Sequence, residues 1–286
     1  MSAIVMVPLD GSPSAEAALS WAVHLAKYLN GSVRLVGVHA PPAILLDGET
    51  LVGSVVPDES VRRQETDYFA NVQALLKPTG VSVAADLLDG GVVSSLADYA
   101  RNLKPVWIVM MSHGRGPVAR FFLGETASEF VRRSPCPVLL VHPTNERVDP
   151  SASPVIRRVL VPLDGSDGAE RMLGPAADFA KALGADLNLL MALARIPDMP
   201  AAKAEAYLQQ KTTALQAKSL NVGSKTVPHG DAADVIVAEA DANPGTIVAL
   251  ATHGRGGLAK LVWGSVTEDV VRRTKAPVLV FKPSQA

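Results

Sequence analysis

A chain of 286 residues, 48% of them hydrophobic, has the length of about two domains and the apolar content to bury a substantial core in each. A formal net charge of −1 gives no electrostatic reason to expect nucleic acid or an anionic membrane as partner. The single cysteine, Cys136, excludes an intrachain disulfide and any multi-cysteine metal or iron–sulfur site, and it suits a reducing compartment.

In chain order, residues 4–7 are an apolar run that reads as a strand. Ala18, Trp21, Ala22, Leu25, Ala26 and Leu29 follow at helical spacing on one face; Ser12 or Ser14 is suited to cap that helix and Gly31 to end it. Val33 to Val38 is the next strand. The stretch from Pro41 to Ser60 contains Pro and Gly and has no clear periodicity. Residues 60–77 then read as helix, 81–88 as strand, 92–103 as helix, 106–111 as a fully apolar strand, 124–133 as a short helix and 137–141 as a last strand. Cys136, between two prolines and ahead of Val138-Leu139-Leu140-Val141, reads as a buried structural thiol.

The same programme then repeats. Val7-Pro8-Leu9-Asp10-Gly11-Ser12 returns as Val161-Pro162-Leu163-Asp164-Gly165-Ser166, an offset of 154 residues. Ser112-His113-Gly114-Arg115-Gly116, Gly124, Arg132-Arg133 and Pro137-Val138-Leu139 return as Thr252-His253-Gly254-Arg255-Gly256, Gly264, Arg272-Arg273 and Pro277-Val278-Leu279, an offset of 140. The first copy therefore carries about 14 extra residues, which fall in the aperiodic stretch around Pro41 to Ser60. We divide the chain into domains 1–143 and 155–286, joined by a Pro-containing polar linker at 144–154. Apolar strands alternating with helices predict an α/β fold: two tandem, five-stranded, parallel-sheet, Rossmann-like domains. Pro175 falls within the expected first helix of the second copy and predicts a kink or a late start there.

In open sheets of this kind ligands bind beyond the carboxyl ends of the strands, where strand order reverses. Two loops per copy qualify. One carries Asp10 or Asp164; the other carries the glycine-rich stretch and leads into a helix N-terminus, where backbone N–H groups and the helix dipole favour an anion. The alternative is that the glycines serve only turns with positive φ.

Taken together, the Pro-Leu-Asp-Gly-Ser loop, Thr-His-Gly-Arg-Gly-Gly, Gly-Ser-Val-Thr-Glu-Asp-Val-Val-Arg-Arg and the closing Ala-Pro-Val-Leu-Val resemble the universal stress protein family, over residues 3–142 and 156–282. The resemblance implies an adenine nucleotide alpha hydrolase-like fold. It also implies an internal pseudo-dimer in which the last apolar strand of each copy, otherwise an edge, pairs the two domains. ATP-binding members of that family show Gly-x2-Gly-x9-Gly-[Ser/Thr]. The second copy matches at Gly254, Gly264 and Ser265 but has Ala251 at the first glycine. The first copy has Gly114 and Gly124, with Met111 at the first glycine and Glu125 at the hydroxyl position. A carboxylate there repels a phosphate, and methionine is bulky where the backbone has to be approached. The resemblance thus assigns ATP, with or without Mg²⁺, to the second domain. Asp164, with Pro162 and Leu163 beside it, would hold the ribose or adenine side. The backbone near Ala192 would meet adenine. The N–H groups of Gly254, Arg255 and Gly256 and of Gly264, Ser265 and Val266 would hold phosphates, with the Ser265 and Thr267 hydroxyls helping. Asp10, Val38, Gly114 and Gly124 are the weaker equivalents in the first domain.

Other chemistries are less well supplied. Gly254 to Ala259 matches GxGxxA but follows the fourth strand rather than the first, and no Gly-Lys pair exists for a P-loop. His113 or His253 beside a hydroxyl residue suggests a hydrolytic triad with Asp10 or Asp164, yet the nucleophile elbow is missing. The remaining histidines (24, 39, 142, 229) show no ligand spacing. The Arg pairs read as solvated helix ends. No stretch reaches the ~18 apolar residues of a bilayer span, and no secretion signal opens the chain. With these alternatives weakened, the family resemblance implies a cytoplasmic stress-response protein that binds ATP without efficient catalysis, forms an internal pseudo-dimer and is capable of dimerising again. The alternatives are a nucleotide-free scaffold for a protein or small apolar ligand, and a slow ATPase or group-transfer enzyme using Arg255 and Lys260.

Overall fold

The computed structural model describes residues 3–40, 44–46, 49–51, 59–112, 124–142, 149–194, 196, 199–252 and 263–282. The first half runs β1 (Ile4–Pro8), α1 (Ala17–Tyr28), β2 (Ser32–His39), β3 (Ile44–Leu46), β4 (Glu49–Leu51), α2 (Glu59–Leu76), β5 (Ser82–Asp89), α3 (Val92–Leu103), β6 (Trp107–Met111), α4 (Glu125–Arg133) and β7 (Val138–Val141). The second runs β8 (Arg158–Pro162), α5 (Asp167–Glu170), α6 (Leu173–Leu183), β9 (Asp186–Ala192), α7 (Ala201–Gln216), β10 (Val222–Val227), α8 (Ala232–Asp241), β11 (Thr246–Ala251), α9 (Ser265–Arg273) and β12 (Val278–Phe281).

Ten strands form one sheet in the order β10-β9-β8-β11-β12-β7-β6-β1-β2-β5. Every neighbouring pair is parallel except β7 with β12, which run antiparallel with Leu139 opposite Leu279. The last strand of each half is therefore interior, and the outer edges are β5 and β10. This pairing solves the problem an apolar terminal strand poses, since an uncovered row of N–H and C=O groups invites aggregation.

Strand alternation sends side chains to two continuous cores. Val5, Val7, Val159 and Val161 face α1, α2, α6 and α7. Met6 and Leu160 face α3, α4, α8 and α9. Both cores cross the seam between the halves. Trp107 of β6 meets Phe179 of α6 edge-to-face at 4.9 Å, an arrangement that contributes about 0.5–1.5 kcal/mol beyond area burial. On the other face the buried Trp263 donates its indole Nε1–H to Ser128 Oγ of α4 at 2.8 Å.

Four local expectations are corrected or sharpened. Ser12 Oγ accepts from Ala15 N–H (3.2 Å) and so caps a lead-in turn; α1 itself starts at Ala17 with no side-chain cap, and Ser14 contributes only its carbonyl. The left-handed residue after α1 is Asn30 (φ 48°) rather than Gly31. Gly31 serves close approach instead, because a Cβ there would lie 2.4 Å from the Ala3 carbonyl oxygen. Of the two expectations for Pro175, the late start holds and the kink does not: it is the third residue of α6, which follows the single turn of α5. Finally, the aperiodic insertion holds a hairpin, β3 with β4, in which Ile44 pairs with Leu51.

Candidate functional site

In each half the strand order reverses between the first and fourth parallel strands, β1/β6 and β8/β11. The loops leaving those strands flank the crevice where ligands of such sheets bind. After β8, Gly165 takes φ 78°, and Asp164 folds back so that its Oδ1 accepts from Ser166 N–H (3.0 Å) and Ser166 Oγ–H (2.6 Å). Ser166 Oγ in turn accepts from Ala169 N–H at 3.2 Å and caps α5. The first half repeats this with Gly11 (φ 75°), Asp10 and Ser12. A side chain at a left-handed φ costs roughly 1–2 kcal/mol, so glycine is needed here and the carboxylate is held by its own loop. Pro162 is half-buried at the mouth, whereas the Leu163 side chain lies in the core and its N–H bonds Leu190 O at 2.8 Å.

The second loop starts from a fully buried hydroxyl residue. Thr252 N–H bonds Phe281 O (3.1 Å), and Thr252 O accepts from Gly264 N–H (2.8 Å), so the loop closes on the residue it left. Ser112 and Gly124 do the same at 3.2 Å. Gly254, Arg255, Gly256 and His253, like Gly114 and His113, lie outside the described residues. Gly264 (φ −66°, ψ 142°) and Gly124 (φ −57°, ψ 141°) have backbones any residue adopts. The turn explanation therefore does not hold for these two glycines. A Cβ at Gly264 would make only ordinary contacts, 3.5 Å from Thr252 O. Glu268 N–H makes the first bond of α9, to Gly264 O at 3.0 Å, so the N–H groups of Ser265, Val266 and Thr267 precede the intrahelical ladder.

Side chains at this helix start differ from what the spacing suggested. Thr267 is buried and gives its one hydroxyl proton to Ala251 O at 3.0 Å, which ties α9 to β11 and leaves no donor for a phosphate. Ser265 is exposed at the helix tip. In the first half Ala127 replaces Thr267, and the exposed Glu125 sits in the first turn, where its charge complements the dipole an anion would use. Met111 is buried in the core beside β1, so its bulk is absorbed there rather than left over the loop.

The mouths of β2 and β9 complete the site. Val38 and Ala192 are half-buried at the strand ends, and Leu193 N–H bonds Val227 O at 2.9 Å. Beyond Val38 the buried His39 puts Nδ1 2.6 Å from Glu65 of α2, and Arg62 pairs with Asp89. The sequence reading left His39 among scattered histidines, because only the register of α2 after the insertion brings Glu65 to it. At the equivalent places the second half has Leu193, Ala204, Ala201 and Pro228. There Glu170 accepts from Tyr207 OH (2.9 Å) and Lys211 Nζ (2.5 Å). The first half has Glu16, Tyr68 and Val72 instead, and burial, then the charges of Glu16 and Asp10, push the Tyr68 phenol well above its ordinary pKa.

Elsewhere, burial pushes the Cys136 thiol up to about 12, in keeping with a structural role. Arg133, Arg272 and Arg273 form surface ion pairs with Glu129, Asp269 and Asp234. Among the described residues no group of three or more His, Cys, Asp or Glu is placed to hold a metal, and no helix is long and apolar enough to cross a membrane.

These features define a class: a duplicated, doubly wound α/β protein whose two sheets are fused through their final strands. The sequence model of the universal stress protein family matches residues 1–142 and 156–282, and the chain belongs to that family. A universal stress protein of Mycobacterium tuberculosis (strain ATCC 25618 / H37Rv) is 29% identical over 298 residues, covering 98% of this chain and 97% of the relative. One from Mycolicibacterium smegmatis is 26% identical over 295 residues, with 98% and 97% covered. The crystal structure of a universal stress protein from Archaeoglobus fulgidus DSM 4304 superposes with a TM-score of 0.77 at 20% identity, covering 98% of both chains.

Proposed function

We propose that this protein is a stress-response module that binds ATP in its second half and works as a sensor or regulator without efficient catalysis. The observation that carries this reading is the start of α9. Gly264, at a backbone that does not require glycine, adds no side chain to the helix N-terminus, beside the exposed Ser265 and at the crevice of β8 and β11. Unpaired N–H groups and the helix dipole make such a start an anion site. Asp164 stands on the other wall, held in place by Ser166. The mouth beyond Ala192 is apolar, through Leu193 and Ala204, which suits the face of a purine base. Gly254, with Gly264 and Ser265, follows the spacing Gly-x2-Gly-x9-Gly-[Ser/Thr] of ATP-binding family members, with Ala251 in place of the first glycine.

In this reading the first half, with Glu125, Ala127 and the His39–Glu65 pair, holds ATP weakly or not at all. Its hairpin insertion and polar mouth favour a second role, the docking of a partner protein. The working units are residues 1–143 and 155–286 with the linker 144–154, and a chain with one cysteine is assigned to the cytoplasm. The test is calorimetry with ATP and Mg²⁺ on the intact chain and on Gly254→Val/Gly264→Val. Micromolar binding that the double substitution abolishes supports the reading. An intact chain that takes up no heat with ATP sinks it, and single-turnover hydrolysis would move the protein into the ATPase class.

A further inference from the structure

A hydrogen bond joins the starts of α9 and α4 across the two halves. Trp263 immediately precedes Gly264, and it is 6% exposed, in the same buried cluster as Ala127, Phe130 and Val131 of α4. A buried indole N–H has to find an acceptor, since leaving it unpaired costs more than the bond itself contributes. The acceptor comes from the other half: Ser128 Oγ, at 2.8 Å. Ser128 in turn sits on the first bond of α4, its N–H on Gly124 O at 2.8 Å. The residue before the N-terminus of α9 is thus fastened to the first turn of α4.

The arrangement is one-sided. The counterpart of Trp263 in the first half is Leu123, which has no polar hydrogen, and the counterpart of Ser128 is Glu268. Among the described residues three ties fix the start of α9: Gly264 N–H to Thr252 O, Thr267 Oγ–H to Ala251 O, and Trp263 Nε1–H to Ser128 Oγ. The first two lie within the second half; the third crosses the seam. Among the described residues the start of α4 has the tie from Gly124 to Ser112 at 3.2 Å and, at Ser128, the same bond across the seam, but no counterpart of the Thr267 tie, since Ala127 stands there.

We propose that Ser128, a residue of the first half, is a positioning residue for the nucleotide site of the second, acting through Trp263 on the Gly264–Ser265 turn. This rests on the ATP reading above. The physical ground is preorganisation: N–H groups held in the bound arrangement lose less freedom when the anion arrives. Without the Ser128 hydroxyl the buried indole N–H loses its acceptor, and Trp263 has to shift toward water and carry Gly264 with it.

The test measures ATP affinity by calorimetry, and thermal unfolding separately, for the intact chain, Ser128→Ala and Ser128→Thr. Ser128→Ala is expected to weaken ATP about fivefold, the effect of one lost neutral hydrogen bond, and Ser128→Thr, which keeps the hydroxyl, to restore affinity to within about twofold. A second readout follows Trp263 directly. The chain labelled with 5-fluorotryptophan has three tryptophans, and the Trp263 resonance is the one missing from Trp263→Phe. ATP is expected to shift it in the intact chain. If Ser128→Ala melts earlier but binds ATP as the intact chain does, the tie is only structural and the proposal falls while the ATP reading stands. If the intact chain binds no ATP, both fall.

Discussion

Apart from the β3–β4 hairpin the two halves match strand for strand, yet they differ where a ligand would meet them. Both hold their loop aspartate by an Asx turn over a left-handed glycine, and both close the second loop on a buried hydroxyl residue. At the helix start, Ser265 and Thr267 in one half face Glu125 and Ala127 in the other. At the second strand's mouth, Leu193 and Ala204 face His39 and Glu65. Duplication has kept the Asx turns and the loop closures and changed side chains at the helix start and the strand mouth, the backbone tie of Thr267 among them. Such a pattern is expected when one site keeps a function and the other is released from it.

The largest expected effect concerns whether the halves are independent at all. Phe179 of the second half packs on Trp107 of the first, so Phe179→Ala should cost about 3–5 kcal/mol. It should destabilise both halves together, seen in calorimetric melting as one displaced transition. Two resolved transitions, with only the second displaced, would break the picture of a shared core.

Exchanging the residues at the helix start comes next. Glu125→Ser removes a carboxylate from the first-half anion position and should strengthen ATP binding there roughly tenfold, measured by titration in the Gly264→Val background. Thr267→Ala removes the tie to Ala251 and should cost about 1 kcal/mol of stability, read from the denaturant midpoint, whereas Ala127→Ser should change stability by less.

The smallest effect is on the outer strands. Burial raises the Asp86 carboxyl, but the Tyr99 hydroxyl and the Arg34 guanidinium outweigh it and hold the pKa below the ordinary value. Glu239 is held low against burial by Lys225 and Arg158. A folded pKa below the unfolded one gives stability that is present above about pH 4 and is lost as pH falls through the lower folded value. Melting curves from pH 7 down to pH 3 should therefore fall less steeply for Asp86→Asn than for the intact chain. With both partners about a third exposed the difference is at most about 1 kcal/mol.

Most of the sheet was legible because its strands are buried on both faces and so read as unbroken apolar runs, such as Trp107 to Met111. The repeat offset fixed which loops correspond. Features that depend on backbone meeting backbone were not legible: the Gly31 contact with Ala3 looks like an ordinary helix stop, and Asn30 gives no sign that it takes the left-handed turn. The site was half legible. The sequence could name Asp164, Gly264 and Ser265 as candidates, but it could not tell that Thr267 turns inward to Ala251. Nor could it find His39–Glu65 or Trp263–Ser128, because each pair joins residues far apart in sequence whose meeting depends on helix register or on the seam.

The claim that one half alone carries the nucleotide is tested most directly by the stoichiometry of ATP binding in Gly124→Val and Gly264→Val, two substitutions at equivalent positions with compatible backbones. The account predicts one ATP per chain in the intact protein and in Gly124→Val, and a loss on the order of 100-fold in affinity in Gly264→Val. Binding that survives in Gly264→Val and disappears in Gly124→Val would contradict it.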